Sequence, residues 1–248
     1  MLVAMESAPV IDLGSLRRSC MQCSLRQLCL PAGIGADDVD RLDRLVKRRK
    51  PVARNERLFH TGSAMNRIYV AREGSFKTVA GNEDGEEQVM GFHLPGEIIG
   101  LDALGTGQHR CDAIALETAQ VCEVPLDDLQ QVAAQVPGLQ RQLLRVIGFS
   151  MGRDQDHLEM MSRRQAGDRV MLFLHSLSQR FESLGRDGTE FALPMTREDI
   201  GSYLGLVIET VSRSFTKLQD DGLIAVRGRQ VRLLSTRRLA EAVHGKTN

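Results

Sequence analysis

The sequence of 248 residues predicts an α+β chain in which an N-terminal β-roll of jelly-roll type leads into one long helix and then a winged helix-turn-helix. Three observations carry this fold class. Short apolar or alternating segments run from about Pro51 to Leu126, a helical period begins after Pro137, and two glycine-bounded helices precede a hairpin near the C-terminus.

The roll comes first. RLFHTG, RIYVAREGSFKTVA, EQVMGFHLPGEIIG and AIALETAQVCEVPL are each short enough for one or two strands, and Gly, Pro and an Asn-x-Asp-Gly turn punctuate them. Regularly spaced turns between such strands argue for a closed antiparallel architecture.

The long helix is expected to run to about Gln165, roughly 42 Å at about 1.5 Å per residue. Leu144, Ile147, Met151, Asp154, Leu158 and Met161 follow one another at intervals of 3, 4, 3, 4 and 3, the stripe of a coiled-coil seam. Such a stripe can pack on the protein's own barrel or form the seam of a homodimer. Asp154 is its odd member, because a carboxylate is costly in an apolar seam. Two such carboxylates at about 6 Å would repel by roughly 2 to 3 kcal/mol at an effective dielectric near 20. Gly148 and Gly152 weaken the same helix by on the order of 1 kcal/mol each relative to Ala.

In MTREDIGSYLGLVIETVSRSFTKLQDDGLI, Thr196 caps a first helix with Asp199 three residues on, and Gly205 ends it. A second helix is expected from about Val207 to Asp220, closed by Gly222, and LIAVRGRQVRLL folds back around Arg227 to Gln230. Glu209, Ser212 and Arg213 share one face near the start of that second helix. There Arg213 can take guanine O6 and N7, Glu209 can accept from cytosine N4, and Ser212 can meet either kind of edge. Wing arginines are expected to hold phosphates. The chain is neutral overall, with 32 Lys and Arg against 32 Asp and Glu, but from Gly205 to Arg238 it carries Arg213, Lys217, Arg227, Arg229, Arg232, Arg237 and Arg238 against only Glu209, Asp220 and Asp221.

Composition excludes other classes. With 42% hydrophobic and 26% charged residues the chain is a folded one, and its apolar runs are too short to span a membrane. MLVAMESAPVIDLGSLRR places acids before any basic residue, the wrong order for an export signal, so a cytoplasmic location is expected. In that reducing compartment the five cysteines read as thiols or metal ligands. No nucleophile elbow or phosphate loop is present, and His60, His93, His109, His157, His175 and His244 have no metal-ligand spacing. An enzyme is not expected.

Cys20, Cys23 and Cys29 form C-x2-C-x5-C, enough to share a metal centre if a fourth ligand comes from Cys111 or Cys122. Spacing alone leaves zinc and an iron-sulfur cluster open.

CMQCSLRQLCLP, LDRLVKRRKPV, GFHLPGEIIGLDALG, LETAQVCEVP, RDQDH and MTREDIGSYLGLVIETVSR, in this order over nearly the whole chain, resemble the FNR and Anr oxygen-responsive branch of the CRP/FNR regulators. The resemblance implies a cyclic-nucleotide-binding-like β-roll, a dimerisation helix and a winged helix-turn-helix. It divides the chain into a cluster-binding segment (1–30), a sensor roll (31–136), a dimerisation helix (137–165) and a DNA-binding domain (166–248). It implies a [4Fe-4S] cluster on Cys20, Cys23, Cys29 and Cys122, with Cys111 a spare thiol. It also implies DNA contacts through Glu209, Ser212 and Arg213 at TTGAT-type palindromes. In that branch oxygen converts the cluster to [2Fe-2S] and then removes it, and the dimer falls apart and leaves DNA. RNA polymerase is a further implied partner, with contacts around Asn82 to Glu86, Thr118 and Phe181.

The alternative is a regulator gated by cyclic nucleotide, with structural or zinc-binding cysteines. Relatives that bind cyclic AMP carry Arg-Ser/Thr-Ala after a Gly-Glu pair; here Gly96 and Glu97 are followed by Arg110, Cys111, Asp112 and Ala113. The Asp112 carboxylate would repel a phosphate.

Overall fold

The computed structural model describes residues 20–48, 51–81 and 87–235. A 3-10 turn at Cys20–Gln22 opens the cysteine loop, which leads to α1 (Ala36–Leu45), with Asp37 and Asp38 in its first turn to complement the helix dipole.

Eight short strands follow: β1 (Lys47–Arg48), β2 (Arg57–Phe59), β3 (Arg67–Glu73), β4 (Phe76–Gly81), β5 (Glu87–His93), β6 (Ile98–Ile99), β7 (Asp112–Ala115) and β8 (Gln120–Pro125). They form two antiparallel four-stranded sheets, in the orders β1-β8-β3-β6 and β2-β7-β4-β5. Between the sheets Phe59, Tyr69, Ala71, Phe76, Ile99, Ala113 and Val121 make one buried cluster. Strand β3 buries both of its faces, with Tyr69 and Ala71 in this cluster and Ile68 and Val70 turned the other way.

Two helices continue from the roll, α2 (Leu126–Gln135) and α3 (Pro137–Ser162), the second with its proline in the first turn, where no N–H is needed. Helix α3 stops short of Gln165 because Arg163 is extended, and its carbonyl then accepts from Arg169 Nε at 2.9 Å. That bond ties the break to the start of α4 (Ala166–Ser183).

The C-terminal unit continues with β9 (Glu190–Ala192), α5 (Arg197–Leu204), α6 (Ile208–Asp220), β10 (Ile224–Arg227) and β11 (Gln230–Leu233). The capping box is present: Thr196 Oγ1 accepts from Asp199 N at 3.0 Å while Asp199 Oδ2 accepts from Thr196 N at 2.9 Å. Gly205 ends α5 in the left-handed region at φ 62°, which lets the chain reverse into α6. The wing has a third strand beyond the expected hairpin, because β9 pairs with β11.

The helix-turn-helix unit docks on the roll of its own chain. Val79, Val89, Phe92 and Leu94 share a core with Phe173, Leu174, Leu177, Tyr203 and Leu204. Lys77 meets Asp199 at 2.6 Å, and Ser202 Oγ accepts from Val89 N at 2.8 Å. A second core, Leu30, Ile34, Leu42, Val70, Val124, Leu129, Leu139 and Val146, lies under the cysteine loop and joins it to the roll, α2 and α3.

Candidate cysteine centre and nucleic-acid interface

Cys20, Cys23, Cys29 and Cys122 line a single concavity, walled by Leu25, Leu30, Leu42, Val46, Val70 and Val124, with Arg26 and Arg72 also in its lining. Local folding makes this convergence. Leu28 N and Cys29 N both donate to Leu25 O at 2.9 Å, which coils the loop, and Cys20 N donates to Asp43 Oδ1 at 2.9 Å, which pins the loop to α1. Cys122 arrives on β8, in register with Arg48 on one side and Val70 on the other.

Burial raises the Cys20 thiol above its usual range, with Asp43 adding to the effect, and pushes Cys29 up to about 12. Such thiols hold their protons, so a metal would have to displace them. Among the described residues no group of three or more His, Cys, Asp or Glu side chains could hold a metal ion as placed. All four thiols nonetheless line the one pocket, and four cysteine thiolates are the donor set of an iron-sulfur cluster as well as of a zinc site.

Cys111 lies elsewhere. It is buried between the two sheets, away from the other four, and burial together with Asp102 pushes its thiol up to about 12.

Glu209, Ser212 and Arg213 are all exposed on α6. Arg213 Nε donates to the Glu209 carbonyl at 3.4 Å, so the guanidinium folds back on its own helix. Arg197 lies over the Phe215 ring at 3.3 Å and fixes α5 against α6. Two wing arginines differ from expectation: Arg229 donates to the carbonyls of Leu193 and Pro194, and Arg232 pairs with Glu190 at 2.6 Å. Their side chains hold the third strand. Arg227 is exposed, while Arg237 and Arg238 lie outside the described residues.

On α3, Leu144, Met151 and Leu158 are 68%, 58% and 70% exposed, which for large apolar side chains in a row marks an uncovered face. Asp154 is exposed between them, and Ile147 is partly buried. Met161 turns toward its own chain, where its Cε would lie 2.8 Å from a Cβ at Gly205. Phe149, 57% exposed and absent from the counted stripe, adds to the apolar surface.

The chain matches a cyclic nucleotide-binding domain over residues 49–136 and a Crp-like helix-turn-helix domain over residues 168–242. It is 42% identical to the transcriptional activator protein Anr of Pseudomonas protegens over 239 residues, 96% of this chain and 98% of that protein. It is 38% identical to the fumarate and nitrate reduction regulatory protein of Escherichia coli, covering 93% of this chain and 92% of that protein. The chain belongs to the CRP/FNR family of transcription regulators. The structure of FixK2 from Bradyrhizobium japonicum superposes with a TM-score of 0.71 at 29% identity, over 79% of this chain and 96% of that one. Proteins of this family are regulators, not enzymes.

In this CRP/FNR regulator Glu97 is already engaged. Arg180 Nε and Nη2 donate to its two carboxylate oxygens at 2.9 and 2.7 Å, and Arg153 lies at 3.4 Å. Burial works to raise the Glu97 carboxyl, but the two arginines outweigh it and hold it below the usual range. Asp112 is held by Thr61 and Arg57, and Arg110 is exposed.

Of the implied polymerase contacts, Thr118 is exposed and Asn82 to Glu86 lie outside the described residues. Phe181 is 6% exposed and stacks on Phe191 at 4.9 Å, so its ring is core rather than contact surface. Asp43 and Arg153 fall inside the motifs LDRLVKRRKPV and RDQDH, but neither they nor Gln142 and Arg180 carried an expected role, because their partners are distant in sequence. Among the described residues no helix is long and apolar enough to cross a membrane.

Proposed function

We propose that this regulator senses oxygen through a [4Fe-4S] cluster held by Cys20, Cys23, Cys29 and Cys122. The carrying observation is that three thiols of an N-terminal loop and one thiol of a distant strand line the same pocket. Kinship with Anr and with the fumarate and nitrate reduction regulator makes the protein an oxygen-responsive transcription regulator at the coarser level. A cluster bound there supplies a centre that molecular oxygen can oxidise and dismantle.

The chain's own residues do the rest. Asp43 holds the Cys20 end of the loop against α1, and Gln142 of α3 donates to the Cys29 carbonyl at 3.1 Å, so the loop's shape bears on the long helix. Leu144, Ile147, Met151 and Leu158 form the apolar part of a homodimer seam, and Asp154 opposes it by like-charge repulsion. A Cβ at Gly148 or Gly152 would meet open space, so packing within the protomer does not require these glycines; they keep α3 marginal. A few kcal/mol gained at the cysteine loop then moves the monomer–dimer equilibrium about a hundredfold.

The dimer presents two copies of α6 about one helical turn of DNA apart, roughly 34 Å, to the half-sites of a TTGAT-type palindrome. Glu209, Ser212 and Arg213 read base edges there, with Arg227 placed for the backbone. RNA polymerase is the further partner, and the cytoplasm the compartment. A nucleotide-gated reading is not favoured, because Glu97 already carries two arginine partners.

Purification under strict anoxia tests the centre directly. The parent chain and Cys111→Ser should each carry about four irons and four acid-labile sulfides, and Cys122→Ser far fewer. Stoichiometric zinc without sulfide would overturn the reading.

A further inference from the structure

The turn at Gly96 and Glu97 touches every part of the molecule that must be coordinated. Its backbone is woven into β3, where Gly96 N donates to Ala71 O at 2.8 Å and Ala71 N donates to Glu97 O at 3.0 Å. Gly96 has φ +88°, and a Cβ built on it would lie 3.4 Å from Leu28 Cβ and 3.9 Å from Leu25 Cδ2. The turn therefore packs against the cysteine loop, one residue from Cys29. The next residue along the chain, Ile98, is in register with Val70, and Val70 is in register with Cys122. Both arms of the cysteine pocket, loop and strand, abut this one turn.

The Glu97 side chain leaves the roll in the other direction. Its Oε2 accepts from Leu94 N at 2.9 Å, which fixes the carboxylate. That carboxylate meets Arg153 of α3, next to Asp154, and both donor atoms of Arg180 in α4. Arg180 Nη2 also donates to Phe92 O at 2.7 Å, so α4 is fastened to β5 at the same place. A forked arginine–carboxylate bond fixes orientation as well as distance. Movement of the turn by a fraction of an ångström is thus felt by the seam helix and by the helix that supports the DNA-reading unit.

We propose that Glu97 is a positioning residue that transmits the state of the cysteine loop to α3 and α4, with Arg153 and Arg180 as its two outputs. Its carboxylate, held by both arginines, serves as an internal joint. This rests on the cysteine-sensor reading above. Coupling of this kind is reciprocal, so DNA bound at α6 must bear on the cysteine loop through the same residues.

The test uses the full chain purified under anoxia, and compares the parent with Glu97→Gln, Arg180→Met, Arg153→Met and the double variant Glu97→Gln/Arg180→Met. Iron and sulfide content, thermal midpoint, sedimentation and anisotropy of a duplex with inverted TTGAT repeats are read before and after admitting air. The expected result is parental cluster content in the variants, but a ratio of anoxic to aerobic DNA affinity at least about tenfold smaller. The double variant should lose no more than either single one, because all act through one joint. If Glu97→Gln does not fold, the more exposed Arg153→Met carries the test, with a partial loss of the ratio in DNA affinity and in dimer fraction. Variants that keep their cluster and switch as fully as the parent overturn the inference alone. A parent without sulfide that ignores air overturns the sensor reading and this inference with it.

Discussion

Gln142, buried on α3, donates its side-chain amide to the carbonyl of Cys29 at 3.1 Å, and so joins the long helix to the main chain of a candidate cluster ligand. The loop and the helix are far apart in sequence. The same carbonyl also accepts from Ala32 N at 3.0 Å, so Gln142→Leu removes one of its two donors and should lower the urea-unfolding free energy by about 0.5 to 1.5 kcal/mol. The same variant should release iron sooner in air than the parent does, read from the decay of cluster absorbance. Unchanged stability would mean that water replaces the amide freely.

Asp154 stands exposed among Leu144, Met151 and Leu158, and partial desolvation by its neighbours raises its carboxyl, with Arg153 and His157 opposing. Removing the charge should move the protein toward dimer in air, by tens of fold for the roughly 2 to 3 kcal/mol repulsion expected of two facing carboxylates. Sedimentation of Asp154→Ala measures this. A variant as monomeric as its parent contradicts the repulsion.

His93 provides a pH signature. Its ring is buried, and that burial pushes its pKa down to about 4, with Glu97 favouring the charge and Arg153 and Arg180 disfavouring it. The folded ring stays neutral while an unfolded ring takes a proton near pH 6.5. Between those values the unfolded chain binds the extra proton, so stability falls as pH drops from 6.5 toward 4. At about 1.4 kcal/mol per unit, the loss between pH 7 and pH 5 is roughly 2 kcal/mol. Urea unfolding at the two pH values should show it, and His93→Gln should show a flatter profile.

These residues also mark where the sequence is and is not transparent. Thr196, Gly205 and Gly222 act through bonds and backbone angles within a few residues of themselves, so the helix-turn-helix is legible at once. The roll is legible as a pattern of short strands, but β9 is three residues long and exists because β11 offers it an edge. C-x2-C-x5-C points to a centre, but Cys122 comes onto the same pocket through strand pairing, which spacing does not encode. Arg180 and Glu97 are 83 positions apart, and their bond follows from the docking of two units rather than from any motif. A basic side chain can also serve the fold, as Arg229 does by donating to the Leu193 carbonyl at 2.7 Å, and the sequence does not show which arginines do so.

On α6 the predicted effects separate by role. Arg213→Ala should cost about 1 to 3 kcal/mol in DNA affinity and relax preference at one base pair of each half-site. Lys217→Ala, further along the same exposed helix, should weaken binding to all sequences alike and reduce the salt dependence. Anisotropy titrations against TTGAT and its single-base variants, at two salt concentrations, distinguish the two patterns.

The central claim is that four sulfurs govern whether this protein holds DNA. Its most direct test is the affinity of the anoxic protein for a duplex with inverted TTGAT repeats, followed at fixed salt before and after air is admitted. The account predicts an affinity loss on the order of a hundredfold, in step with the loss of sulfide. Equal affinity in both gases, with or without sulfide, would contradict it.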